Sequence, residues 1–165
     1  MNTLYTDVIQ KSPLYTSVEL VSSLEMLEPT FRQKIQSLIA EAATQGHELM
    51  VFETFRSQVR QHQLFLEKKT KLPTVGVHHY GLAADIVFNV NGKPTWPSDE
   101  DFKILGPLAR AQELIWGGDW GEPQDHNTFP DMDHSQWCSL ERQQMLFHEQ
   151  WYPVAGYNPY QDSAV

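Results

Sequence analysis

Phe31, Ile35, Leu38, Ile39 and Ala42 recur at steps of three and four residues and give one apolar face to a helix. Thr30 and Gln33 ahead of that face have the spacing of a capping box, and Gly46 supplies a stop. The pattern then changes. Residues 47–55 are rich in apolar and aromatic side chains and predict a strand. Ser57 predicts the cap of a second helix running to about Lys68, with Leu64 and Phe65 facing inward. Residues 72–81 read as loop, residues 82–90 as a second strand, and Asn91-Gly92 as a tight turn after it. Ser98 followed by Asp99, Glu100 and Asp101 predicts a third helix whose first turn is acidic, where the helix dipole favours negative charge. Pro107 is expected to kink or divide it. A short strand at Ile115 and Trp116, a loop over 121–130, a last strand over 131–138 and a helix capped by Ser139 to about Gln150 complete the pattern. Residues 1–28 read as an irregular lead-in with a short helix around 18–26, and the tail from Pro153 as surface chain. Helices and strands are mixed without β-α-β alternation, so the expected fold class is α+β.

At 165 residues without repeat, low-complexity tract or Gly/Ser linker, one domain spanning 1–165 is expected, with its core at about 25–150. Twelve Lys and Arg against 21 Asp and Glu give a formal charge of −9, which argues against holding nucleic acid or an anionic membrane by charge. Cys138 is the single cysteine, which excludes an intrachain disulfide and a four-cysteine zinc site. No apolar run approaches the roughly 20 residues of a membrane span. Residues 1–10 lack the basic-then-apolar pattern of a secretory signal, so a soluble chain made in the cytoplasm is expected.

Seven histidines bring candidate chemistry into this picture. In His78-His79-Tyr80-Gly81-Leu82-Ala83-Ala84-Asp85, the glycine allows a sharp turn by which His78 and Asp85 can face one point. A neutral imidazole and a carboxylate suit a first-row metal ion, and catalytic zinc takes three such ligands and keeps one position open. His134 is the third candidate. Asp131, three residues earlier, would have to lie in the incoming loop to serve beside it as a general base, because an odd spacing on a strand points to opposite faces. By the same alternation His79 is expected to point away from His78, and Asp133 away from His134. There is no His-Glu-x-x-His segment. His148-Glu149 reads as a solvated helix face, Cys138 as a buried inert thiol, and Trp116, Trp120 and Trp137 as core. Asp125 and His126 sit in the loop as possible cleft residues.

His78, Gly81, Ala83 and Asp85, followed by Asp131 and His134, match in order and spacing the pattern Ser-x-His-x-x-Gly-x-Ala-x-Asp and Asp/Glu-x-x-His. The chain thereby resembles the zinc D-alanyl-D-alanine carboxypeptidase and L-alanyl-D-glutamate peptidase family. That family includes the vancomycin-resistance dipeptidases and many phage endolysins and shares its fold with the hedgehog signalling domain. Glu53-Thr54-Phe55-Arg56-Ser57 followed by Gln61 and Leu64 is similar to the family's Arg-Ser-x-x-x-Gln segment, and Trp116-Gly117-Gly118-Asp119-Trp120 looks like the endolysin branch. Gly76 stands in place of the family serine, residues 67–75 are shorter than usual, and Ser135 replaces a phenylalanine.

The resemblance implies a hedgehog/DD-peptidase-like fold, a small antiparallel sheet packed with helices. It implies one zinc ion on His78, Asp85 and His134, with Asp131 as catalytic base. It also implies Arg56 as a catalytic and substrate-binding cation and Gln61 as a substrate-binding residue. The implied activity is hydrolysis of peptidoglycan stem peptides at the L-alanyl-D-glutamate bond, as an endolysin. Cleavage of D-alanyl-D-alanine ends and an inactive zinc-binding module are the rival readings. A monomer is expected, released to the cell wall with the help of a holin and free of nucleic acid and membrane insertion.

Overall fold

The computed structural model describes residues 3–121 and 130–162. Its elements in chain order are α1 (Pro29–Thr44), β1 (Leu49–Glu53), α2 (Gln58–Leu66), β2 (Ala83–Val90), β3 (Lys93–Thr95), α3 (Asp99–Phe102), α4 (Leu105–Ala111), β4 (Ile115–Trp116), β5 (His134–Gln136) and α5 (Leu140–Phe147). The five strands form one antiparallel sheet in the order β1-β2-β5-β4, with β3 also paired to β2. The α+β expectation holds. Among the described residues no helix is long and apolar enough to cross a membrane.

β2 is the axis of the sheet. β1 runs along one edge of it, while β5 pairs with its first residues and β3 with its last. Asp85 therefore has Glu53 of β1 on one side and His134 of β5 on the other. A bulge between Val51 and Glu53 brings Glu53 into that register. α1 and α4 pack beside the sheet, and α1 buries Phe31, Ile35, Leu38 and Ala42 as its periodicity predicts.

Several boundaries differ from expectation for identifiable reasons. α1 is capped by Glu28, whose carboxylate accepts from Phe31 N at 2.9 Å, and Pro29 starts the helix where its missing N–H costs nothing. Thr30 is inside the helix. Phe65 of α2 is 37% exposed; the buried residue of that helix is Gln61. Pro107 lies in the first turn of α4, where proline is tolerated, and the break falls before it at residues 103–104. β5 is only three residues long because Met132 and Asp133 form a turn.

The lead-in is not a loose segment. It has no helix over 18–26 but three short helical turns, Tyr5–Ile9, Pro13–Thr16 and Leu24–Met26, and Tyr5, Ile9 and Val21 join the main hydrophobic cluster. The core thus begins well before residue 25. Val21 bridges to Phe55, and Thr54 N–H and Oγ1 both donate to Val21 O. At the other end Asp162 accepts from Ser139 Oγ, Tyr157 OH and Arg142 Nε, which ties the tail to the start of α5.

Gly81 joins the turn Val77–Tyr80 to β2 with φ +70°, and a Cβ there would come within 2.5 Å of Met26 O and 2.9 Å of Leu4 Cδ2. Gly92 also has positive φ, but nothing lies within 4 Å of a Cβ built on it. Gly92→Ala should cost only the left-handed backbone penalty, about 1–2 kcal/mol. Gly81→Ala should cost more, roughly 2–4 kcal/mol, because the lead-in must also shift. Denaturant unfolding of the two variants side by side measures the difference.

Candidate metal centre

The histidine and aspartate of the first motif are brought together by the turn and strand on either side of Gly81. His78 lies in the turn Val77–Tyr80, Asp85 is the third residue of β2, and His134 opens β5 directly opposite it. All three are buried, at 3%, 8% and 6% exposure. Asp85 Oδ1 lies 3.1 Å from His78 Nε2 and 3.2 Å from His134 Nδ1, and the two nitrogens are 3.2 Å apart.

The outer hydrogen bonds decide what this triangle is. His78 Nδ1–H donates to Thr54 O at 3.0 Å, so Nε2 presents its lone pair inward. The Gln136 amide donates to Cys138 O, which turns its Oε1 toward His134 Nε2–H at 3.0 Å and leaves His134 Nδ1 as the inward lone pair. Three acceptors thus converge with no donor among them, an arrangement that calls for a cation. A tetrahedral site with ligands at about 2.0–2.1 Å has edges of about 3.3–3.4 Å, close to the sides of this triangle. The group fits one ion of zinc type held by two nitrogens and one oxygen.

Without a metal ion, the groups of the triangle answer one another's charge. Burial works against the Asp85 carboxylate, yet His78, His134 and Arg56 outweigh it and hold Asp85 well below the usual carboxylate range. Burial likewise opposes charge on His134, and the Asp85 carboxylate overcomes it and raises the imidazole.

Asp131 lies in the loop entering β5, as its spacing requires, and is exposed. Its N–H donates to Gly117 O at 3.0 Å, and its charge acts on Arg56, Asp133 and His134. A Cβ on Gly117 would come 2.4 Å from Asp131 O and 3.1 Å from His134 Cβ. The tryptophan-glycine segment therefore makes room for Asp131 against β5. Asp133 departs from expectation: it sits in the turn rather than on the strand, so alternation does not direct it away. Its Oδ2 accepts from Trp96 Nε1 at 2.7 Å, and burial together with the charges of Asp85 and Asp131 pushes it up to about 8.

Arg56 stands at the site but is largely committed. Nε and Nη2 donate to Glu53 Oε2, Nη2 also to Asp85 Oδ2 at 3.1 Å, and Nη1 to Gln61 Oε1 at 3.3 Å. One Nη1 hydrogen remains uncommitted among the described residues. Gln61, expected at the substrate, is 2% exposed, and its amide donates to Thr70 Oγ1 and Leu72 O. It braces the 67–76 segment against Arg56 and has no face to offer a ligand.

His79 points away from His78, as expected, but it does so from the helical turn Val77–Tyr80, where strand alternation does not apply. It is buried among Tyr5, Tyr15, Phe55 and Tyr80, and its Nδ1–H donates to Arg56 O. Burial lowers its imidazole. Cys138 is buried and its thiol is pushed up by burial, so it is inert. Trp116 and Trp137 are core; Trp120 is half-buried with its ring 5.0 Å from that of His134. His148 and Glu149 are exposed. Asp125 and His126 lie outside the described residues.

Four residues of the site receive no role from sequence reasoning: Glu53, Thr54, Trp96 and Gln136. Gln136 carried a signal, since it shares a strand face with His134 two residues away. Thr54 acts through its carbonyl and leaves none.

Residues 70–137, which hold His78, Asp85, Asp131 and His134, match the family model described as D-alanyl-D-alanine carboxypeptidase. Over that segment the chain is similar to this peptidase family. It is 28% identical over 117 residues to the peptidoglycan L-alanyl-D-glutamate endopeptidase CwlK of Bacillus subtilis, covering 61% of this chain and 70% of that one. In fold it is similar to the Serratia marcescens L-Ala D-Glu endopeptidase ChiX, with TM-score 0.53 and 22% identity over 68% of this chain and 81% of the other. The vancomycin-resistance D,D-pentapeptidase VanY, solved in complex with Zn(II), gives TM-score 0.53 and 17% identity over 82% and 87% of the two chains. Peptidases of this family depend on zinc, and the acceptor triangle suits one such ion.

The metal-free chain should bind one zinc ion, and its melting temperature should rise with zinc concentration. At 100 times the dissociation constant the gain is about 2.7 kcal/mol. His78→Ala should abolish that rise. His79→Ala should instead lower the melting temperature of the metal-free chain and keep the stoichiometry at one. Calorimetric titration and thermal melts separate the two effects.

Proposed function

We propose that the chain is a zinc endopeptidase cutting the L-alanyl-D-glutamate bond of peptidoglycan stem peptides. The observation that carries the reading is the convergence of three buried acceptors beside the exposed carboxylate of Asp131, in a chain similar to an L-alanyl-D-glutamate endopeptidase. A zinc ion held only for structure has no use for a neighbouring base.

Held by His78, Asp85 and His134, zinc supplies Lewis-acid activation of water and of the scissile carbonyl. Asp131 accepts the proton of the attacking water on its carboxylate and passes it to the leaving amine, work worth typically 10²–10⁴-fold. Its backbone is pinned by Gly117 O, and its side chain is hydrogen-bonded to Asp133, itself anchored by Trp96. Arg56 offers its remaining Nη1 hydrogen to a substrate oxygen. The D-glutamate of a stem peptide is γ-linked, so its α-carboxylate is free to take that bond.

The setting we favour is lysis of a host wall by an endolysin, on the likeness of residues 116–120 to that branch. The enzyme would act as a monomer that reaches the wall with a holin's help. Cleavage of D-alanyl-D-alanine ends is the second reading, favoured by the description of the matching family model.

Digestion of purified peptidoglycan by the zinc-loaded chain should release new L-alanine C-termini and D-glutamate N-termini, seen by mass analysis of the fragments. Released D-alanine in their place would support the second reading, and no release would refute both. Asp131→Ala should lose at least about 10²-fold in turnover with zinc content unchanged. Asp133→Asn should keep most of the activity, and the reverse order of losses would make Asp133 the base.

A further inference from the structure

Glu53 takes no part in the chemistry above, yet it is one of the most heavily partnered side chains in the molecule. It ends β1 at 2% exposure. A buried carboxylate keeps its charge only when paired and hydrogen-bonded. Its Oε2 accepts from Arg56 Nε at 3.0 Å and from Arg56 Nη2, and its Oε1 accepts from Arg60 Nε. The two guanidiniums clamp both oxygens, and neither is more than 15% exposed.

The clamp reaches the acceptor triangle through one nitrogen. Arg56 Nη2, fixed on Glu53, donates to Asp85 Oδ2 at 3.1 Å. Asp85 Oδ1 faces His78 Nε2 and His134 Nδ1. The two oxygens of Asp85 are thereby divided, one for the guanidinium and one for the triangle. Sheet register aligns the parts, since Glu53 and Asp85 are cross-strand partners.

We infer that Glu53 is a positioning residue for the metal site: through Arg56 it holds Asp85 Oδ2, so that Oδ1 alone is presented with the two histidine nitrogens. An untethered carboxylate can rotate, or can offer both oxygens and take up the position that substrate chemistry needs open. Glu53 also matches the charge of Arg56, so Arg56 can orient Asp85 without cancelling its attraction for a cation. Arg60 locks the far oxygen and stops Glu53 from following Arg56. The inference rests on the peptidase reading only in that the triangle holds a metal ion.

The test is zinc affinity of the full chain, measured by chelator competition in a four-way cycle of wild type, Glu53→Gln, Asp85→Ala and the double variant. Loss of an outer-shell partner typically lowers metal affinity 10–100-fold, and Glu53→Gln should fall in that range. In the Asp85→Ala background the same change should alter affinity by less than about twofold, because no carboxylate remains to be positioned. An equal loss in both backgrounds makes Glu53 merely structural and overturns the proposal, as does unchanged affinity in Glu53→Gln. Absence of zinc binding by the wild type overturns the metal reading and the proposal together. If Glu53→Gln does not fold, Arg60→Gln removes only the outer clamp. It should give a smaller loss, roughly 3- to 10-fold, again dependent on Asp85. No loss, or a loss equal in both backgrounds, overturns the proposal by that route.

Discussion

The position of Asp85 at the centre of the sheet constrains the rest of the molecule. β2 is paired on both edges at this residue, with Glu53 across one ladder and His134 across the other. A one-residue slip of either neighbour would turn its side chain to the opposite face and dissolve the site. Burial of Ile86 and Val87 next along β2 holds this register, while the Asn91-Gly92 turn, with positive φ at both positions, sets the pairing of β3. The acceptor triangle is thus a consequence of strand pairing, and the turn carrying His78 is its one segment outside the sheet.

How His78 is aimed explains a part of the site that no sequence pattern exposes. Thr54 receives the lead-in through its N–H and hydroxyl, which donate to Val21 O and Ser23 O. Its own carbonyl accepts from His78 Nδ1. One residue thereby joins the packing of the lead-in to the orientation of His78, and the bond to His78 uses a carbonyl that any amino acid supplies. His79, caged by aromatic rings from the lead-in, adds a second tie one residue from the ligand.

Legibility of this protein divides along the same line. His78, Asp85, Asp131 and His134 are legible as a group because their types and spacings single them out. The helical face of α1 and the strand of β2 were readable because burial imposes a period. What stayed hidden depends on partners far away in sequence. Gln61 matches a motif, but only the fold shows its amide turned to Thr70 and Leu72 and its carbonyl to Arg56. Asp133 was misread because alternation was applied to a residue that belongs to a turn. The lead-in has no sustained period, because its burial of Tyr5 and Ile9 is confined to a single helical turn.

Charge completes the physical picture. Glu53, Asp85, Asp131 and Asp133 gather four carboxylates around the site, while Arg56 and Arg60 supply two guanidiniums. Taken as ionised, the set carries −2, in a chain whose formal charge is already −9. Burial first, and repulsion from Asp85 and Asp131 after it, drive Asp133 up to about 8. A divalent ion in the triangle would balance the deficit and act most strongly on Asp85, whose Oδ1 is part of it. Arg56 cannot do this alone, since Glu53 already answers its charge. The arginines therefore set the geometry of the site, and a divalent ion in the triangle would balance its charge.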